Sequence, residues 1–248
     1  MDTAIARRWV QRWDTQQEHY IADREERFTV ICDVVAHATA AQPCPLVLDL
    51  GCGPGSLSAR VAERLPKAEI VALDNDPLLL ALARGAYPEV AEFTEANLST
   101  VDIGSLLSGR GRLDAAVSTT ALHWVPEHDL VALYRRLAAV MRPGGVLVNG
   151  DHIEDDQPTI SELASAVRDG RETRTGVTDN ENWEQWWTAV REEPTLTALA
   201  EERARLGLGG RGNRLTVRRH VELLRDAGFA EVAPVWQVGD DVVLVAVR

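Results

Sequence analysis

Positive charge is scarce in this chain, cysteine is scarcer still, and long apolar runs are missing. Lys and Arg number 26 against 38 Asp and Glu, a net charge of -12 over 248 residues. Phosphate binding needs a concentrated positive surface, so no nucleic-acid partner is expected. The nearest approach to a basic patch is Arg203, Arg205, Arg211, Arg214, Arg218 and Arg219, which reads as a solvated helix face. The cysteines Cys32, Cys44 and Cys52 show neither metal-ligand spacing nor a disulfide framework, which fits a reducing, cytoplasmic compartment. No apolar run approaches the roughly 20 residues that span a bilayer. The charged N-terminus lacks the apolar core of a secretory signal, so no membrane partner is expected. With 45% hydrophobic residues, the chain can bury a sizeable core, and one domain with an insert is the simplest reading.

The most informative stretch is Leu46 to Gly55, Leu-Val-Leu-Asp-Leu-Gly-Cys-Gly-Pro-Gly. The apolar start predicts a buried parallel strand. Gly51, Gly53 and Gly55 then predict a tight turn whose backbone a ligand can approach closely. From Ser56, Leu57 and Val61 at i and i+4 predict a helix, whose N-terminus favours negative charge. A second apolar run, Ile70 to Leu73, ends at Asp74. An acid about 20 residues beyond a glycine turn, at the end of the next strand, can accept both hydroxyls of a ribose. The pair predicts a nucleoside-containing cofactor. Otherwise Asp74 would only cap the following helix.

Asp49 to Gly55 resembles the first motif of the class I S-adenosylmethionine-dependent methyltransferases, and Leu73-Asp74-Asn75-Asp76 resembles their second. Leu113 to Ser118 is similar to their fourth strand, and Leu137 to Gly145 to the helix and turn before the fifth. Ala121-Leu122-His123-Trp124-Val125 carries a closer likeness to the small-molecule branch, which includes trans-aconitate methyltransferases and the malonyl-carrier-protein methyltransferases. The resemblance implies an α/β, Rossmann-like, seven-stranded, mostly parallel sheet with an antiparallel terminal hairpin. It also implies S-adenosylmethionine as cofactor. Asp49, Gly51, Gly53 and Gly55 would contact its methionine portion and Asp74 the ribose, with Asn75 and Asn97 near the adenine and Thr119 alongside. Asn97 stands where many members have Asp, and can instead simply hold its turn.

The expected organisation is one domain: leading helices over 1–42, a cofactor-binding core over 43–151, a helical insert over 152–214, and a helix with a hairpin over 215–248. Helices are expected over 3–18 and 22–39, and a third strand near 90–94. Tyr20, Arg24 and Arg27 on the leading segments either reach a substrate pocket or lie on an amphipathic surface. His123, with an unperturbed pKa near 6.5, is a candidate base, although related enzymes often carry Gln there. Trp124 is expected at the cofactor's edge. A short fifth strand over 146–149 is expected to lead into Asp151-His152-Ile153-Glu154-Asp155-Asp156, read as a solvated acidic loop, with His152 near the ligand side and no metal site. In the insert, Trp183 and Trp187 lie four apart and either cap the substrate pocket or pack onto the main domain. Gly207 to Gly212 reads as a flexible linker or a movable hinge, and not as a phosphate loop, since no strand precedes it.

The expected activity is methyl transfer to a small-molecule acceptor. A carboxylate acceptor needs no base, and the lack of a convincing base leans toward one. Two alternatives stand beside it: a nicotinamide-dependent oxidoreductase, and a non-catalytic, cofactor-binding partner protein.

Overall fold

Leading helices α1 (Thr3–Glu18) and α2 (Arg24–Ala38) precede the first strand in this computed structural model, which describes residues 1–209 and 212–248. Asp2 caps α1, its carboxylate accepting from the Ala4 and Ile5 N–H groups at 2.9 and 3.1 Å. The core then alternates: β1 (Leu46–Leu50), α3 (Ser56–Arg64), β2 (Glu69–Asp74), α4 (Pro77–Ala86), β3 (Glu92–Glu95), α5 (Ile103–Leu106), β4 (Leu113–Thr119), α6 (Glu127–Val140) and β5 (Met141–His152). The insert supplies α7 (Pro158–Thr175), α8 (Trp183–Glu192) and α9 (Thr197–Leu206). Helix α10 (Val217–Asp226) and strands β6 (Glu231–Val238) and β7 (Asp241–Val247) close the chain.

The strands form one seven-stranded sheet in the order β3-β2-β1-β4-β5-β7-β6. β1 to β5 pair in parallel, and β7 slots antiparallel between β5 and β6. All of β1 is buried, as a continuous apolar run on a two-sided sheet requires. Its side chains alternate. Val47 meets Phe28, Ile31, Val35, Leu57 and Val61 of α2 and α3, while Leu48 and Leu50 share the opposite core with Leu133 and Leu137 of α6 and Leu223 and Leu224 of α10. The order reverses between β1 and β4. Ligands of open α/β sheets bind outside the carboxyl ends of the strands at such a switch point.

A third core joins the leading helix to the insert. Trp9 and Trp13 of α1, Leu78, Leu79 and Leu82 of α4, and Trp186, Trp187 and Val190 of α8 pack together. The indoles meet edge to face, with Trp9 and Trp186 centroids 5.7 Å apart and Trp186 and Trp187 4.8 Å apart. Trp187 is therefore a packing residue, and Trp183 stays 40% exposed at the rim.

Three expectations need correction. The third strand begins at Glu92, because Val90 is held in a turn by its N–H bond to the Tyr87 carbonyl. The second helix is shorter than 22–39, with Asp23 and Thr39 flanking it. The fifth strand runs to His152, because β7 pairs with it from Val146 to His152. Asp151 is thus buried in a strand, not exposed on an acidic loop. Arg211, and Gly210 of the expected linker, lie outside the described residues. Among the described residues, no helix is long and apolar enough to cross a membrane, and no group of three or more ligating side chains could hold a metal ion.

Candidate active site at the carboxyl edge of the sheet

The glycine turn is anchored to the end of β2. The N–H groups of Gly51 and Cys52 both donate to the Leu73 carbonyl at 2.8 Å. Gly51 has φ +72°, and a Cβ placed there would stand 2.3 Å from the Ala121 Cβ. Two separate constraints, one of backbone and one of space, therefore demand glycine. Asp49 is buried just before the turn. The Ser58 hydroxyl donates to its Oδ2 at 2.5 Å, while its Oδ1 is buried without a partner. Burial pushes the Asp49 carboxyl up to about 7, opposed by the Ser58 hydrogen bond and assisted by the nearby charge of Asp74.

Asp74 ends β2. Its Oδ2 accepts from the Gly53 N–H at 2.7 Å and its Oδ1 from the Asp76 N–H at 2.8 Å. Burial raises this carboxyl to about 6 against those hydrogen bonds. Asp74 does not cap the next helix. Asp76 does, accepting from the Leu78 and Leu79 N–H groups at 3.0 and 3.3 Å. Asn75 and Asn97 are exposed, and the Asn97 side chain accepts from the Ser99 N–H at 2.9 Å, holding its turn.

Across the switch point, β4 ends at Thr119, whose Oγ1 is buried without a partner. Thr120 follows with φ +48°, an uncommon conformation for a β-branched residue. Its N–H bonds the Gly150 carbonyl at 2.9 Å. The chain then makes a 3-10 turn, Leu122–Trp124. Asn213 braces this turn, its side-chain amide donating to the Leu122 and Val125 carbonyls at 3.0 and 2.9 Å. His123 places its Nδ1 2.8 Å from Asp151 Oδ1 and 3.0 Å from Oδ2. Trp124 lies beside it, ring centroids 4.6 Å apart, and is 54% exposed.

The remaining candidates divide. Arg27 is fully buried near Asp151, with Nη1 2.8 Å from Asp241, and its Cδ presses against Gly150. Arg24 is buried over the Phe28 ring and pairs with Asp14 at 2.9 Å. Each arginine pairs with an internal acid, while Arg27 Nε and Nη2 are buried without a partner among the described residues. The Tyr20 hydroxyl accepts from the Trp183 N–H at 3.2 Å, so those two residues meet at the rim. His152 faces Asp240 at 3.5 Å. Four of the candidate surface arginines are also paired: Arg203 with Asp76, Arg214 with Glu154, Arg218 with Asp156, and Arg219 with Glu127.

Asp14, Asp76, Arg203 and Asp241 were not legible as site neighbours. Asp151 was legible only as part of an acidic run. The one available signal was its position directly after an apolar strand ending at the switch point.

Residues 47–145 match the model of a methyltransferase domain family. The trans-aconitate 2-methyltransferase of Methylobacterium nodulans is 31% identical over 191 residues, covering 72% of this chain and 68% of that one. Its counterpart in Deinococcus radiodurans is 30% identical over 202 residues, covering 79% and 69%. Other matches span about half the relative's length, as in Azoarcus sp., 33% identical over 135 residues and 49% of that chain. Among solved structures, magnesium protoporphyrin IX methyltransferase from Synechocystis superposes over 100% of both chains with a TM-score of 0.57 at 18% identity, which speaks to the fold. The human N-acetylserotonin methyltransferase gives 0.54 at 18% identity, over 94% of this chain and 56% of that one. A glycine turn hydrogen-bonded to an acid on the second strand, set in this sheet order and matched over two thirds of these relatives, shows that the chain belongs to the class I S-adenosylmethionine-dependent methyltransferases.

Proposed function

We propose that this enzyme transfers the methyl group of S-adenosylmethionine to a small organic acceptor bound at the carboxyl ends of β4 and β5. The observation that carries this reading is the contact of two turns: Ala121 leaves no room for a side chain at Gly51, so the segment after β4 starts against the glycine turn. A donor held at the first turn is then adjacent to groups presented by the second. S-adenosylmethionine brings an activated methyl group and its own leaving group.

The chain's residues fit that donor. The bare glycine turn and the unpartnered Asp49 Oδ1 suit the methionine end. Each oxygen of Asp74 keeps a lone pair after its backbone hydrogen bond, enough for two ribose hydroxyls. Thr119 Oγ1 is a further free polar atom at the strand end. Asn75 and Asn97 border the adenine side. The remaining task is to hold the acceptor atom about 3 Å from the methyl carbon, in line with the leaving sulfur. The names of the trans-aconitate relatives support a second, finer reading, in which the acceptor is a small organic acid methylated on a carboxylate.

Calorimetric titration of S-adenosylmethionine into wild type and Asp74→Ala tests the site, with thermal melts to control for loss of the turn. Weakening by at least roughly tenfold, about 1.4 kcal/mol, is expected. No binding to wild type would overturn the function. Equal binding to a folded variant would overturn the ribose assignment.

A further inference from the structure

We propose that His123 is the proton acceptor of the reaction, that Asp151 is its positioning residue, and that the acceptor is therefore a hydroxyl compound (a phenol, enol or alcohol) rather than a carboxylate. This rests on the methyl-transfer reading above and deepens it.

Geometry carries the proposal. His123 is two residues beyond Ala121, the residue pressed onto Gly51, in the 3-10 turn that follows the carboxyl end of β4. Asp151 takes Nδ1 with both carboxylate oxygens, at 2.8 and 3.0 Å. That fixes the ring and leaves Nε2 as the working nitrogen. Nε2 has no hydrogen-bond partner among the described residues, and the His123 side chain is 30% exposed against 2% for Asp151. The turn is held from below by two Asn213 amide bonds and by the Asn213 N–H on the His123 carbonyl at 2.7 Å. A buried acid, a braced imidazole and one ring nitrogen without a partner among the described residues, past the carboxyl end of β4, form the arrangement of a general base and its orienting group.

The charged surroundings favour the same role. Burial alone would lower the His123 pKa, but the charge and hydrogen bond of Asp151 on β5 outweigh it, with Arg27 of α2 opposing, and the net direction is upward from 6.5. Arg27 is itself balanced by Asp241 of β7. Beneath the pair, Tyr134 of α6 and His220 of α10 feel the Asp151 charge and bond each other at 2.9 Å. Raising the pKa makes the deprotonated imidazole the stronger proton acceptor.

In the step, a lone pair of the acceptor oxygen forms the new O–C bond while the C–S bond breaks, its electron pair leaving with sulfur. The O–H pair stays on oxygen, and the proton passes to His123 Nε2 and from there to water. A carboxylate has no such proton to lose at neutral pH and does not need the dyad as a base.

The test uses the full chain, S-adenosylmethionine, and two acceptor sets: substituted phenols of graded acidity, and carboxylates including trans-aconitate and benzoate. Methylation is followed for wild type, His123→Gln and Asp151→Asn, with donor binding measured on each. Expected is transfer to phenols that falls about 100-fold or more in His123→Gln with donor affinity retained. The wild-type rate should rise with pH as His123 loses its proton, and in Asp151→Asn that rise should move to lower pH while the plateau falls. A passive packing role would not shift the profile. Methylation confined to carboxylates, at equal rates in wild type and His123→Gln, would overturn the proposal and leave the function standing. Donor binding with transfer to neither set would overturn the methyl-transfer reading and this inference with it.

Discussion

Arg203 lays its guanidinium on the Trp187 ring, 3.9 Å from the centroid, and reaches Asp76 Oδ2 at 2.5 Å. The cap helix α9 is thereby tied to the residue that caps α4, two positions beyond the proposed ribose ligand. Arg203→Ala should cost about 1.5–3 kcal/mol, the range for a hydrogen bond to a charged group, and should weaken donor binding. Arg203→Lys should recover only part, because a lysine keeps the charge but loses the planar stacking. Urea denaturation and calorimetry on both variants check this.

The Gly51–Ala121 contact predicts a two-part penalty. Gly51→Ala combines a left-handed backbone, about 1–2 kcal/mol, with overpacking of about 1–3 kcal/mol. Adding Ala121→Gly removes the overpacking and leaves the backbone part. Denaturant midpoints of the single and double variants should show that partial rescue. A double variant no better than the single would mean that the two turns are not in contact.

Asp49 predicts the pH behaviour of donor binding. Its carboxyl titrates near 7 when folded, above an ordinary carboxylate near 3.9. The folded state therefore holds the proton more tightly than the unfolded one. This contribution to stability is full below the ordinary value and is lost as pH rises through about 7. Asp49→Asn should flatten that loss and raise the stability of the free protein at and above neutral pH. The cationic donor binds the ionised form, so affinity should increase as pH rises through the same range, with proton release visible in calorimetry across buffers of different ionisation enthalpy. Asp49→Asn should reduce the release, leaving the part that comes from Asp74, whose carboxyl is raised to about 6.

His220 has the opposite sign. Burial depresses its pKa to about 4, below an unfolded value near 6.5, and Tyr134 bonds its Nδ1 at 2.9 Å. The unfolded chain takes up the proton first, so stability is full above about 6.5 and declines as pH falls toward about 4. His220→Gln should lessen that decline. Melting temperatures of wild type and variant between those limits decide the point.

How much was legible depends on sequence distance. The apolar run of β1, the glycine turn and Asp74 lie within local stretches, and local chemistry dictated them. The antiparallel β7 beside β5 was also readable from the terminal hairpin, and it separates this chain from a nicotinamide-dependent oxidoreductase. Asp151 was misread because its neighbours Glu154, Asp155 and Asp156 are acidic and solvent-loving. Its burial depends on β7 and on Arg27 from α2, both remote in sequence. His123 was weak as a candidate base because related enzymes often carry Gln there, and its contact with Asp151, remote in sequence, was not visible. The Trp183–Trp187 window was ambiguous for a related reason: only the folded chain shows that Trp187 turns inward against α4 while Trp183 meets Tyr20 at the rim.

The long fifth strand has a consequence for altering this enzyme. It carries Asp151 on a strand paired with β4 as far as Gly150 and with β7 through His152, so the proposed His123–Asp151 pair is part of the frame rather than of the insert. Residues 49–55, 74 and 119–123 belong to the same frame. Exchange of α7 to α9 for those of a relative is then a graft onto an intact reaction centre. Polar joints that the graft must match include Arg203–Asp76 at the donor edge, Arg168–Asp240, Arg171–Asp23 and Arg12–Glu181. A library confined to the insert with Arg203 kept should change which molecules are methylated while leaving donor binding and the proposed His123–Asp151 pair as they are.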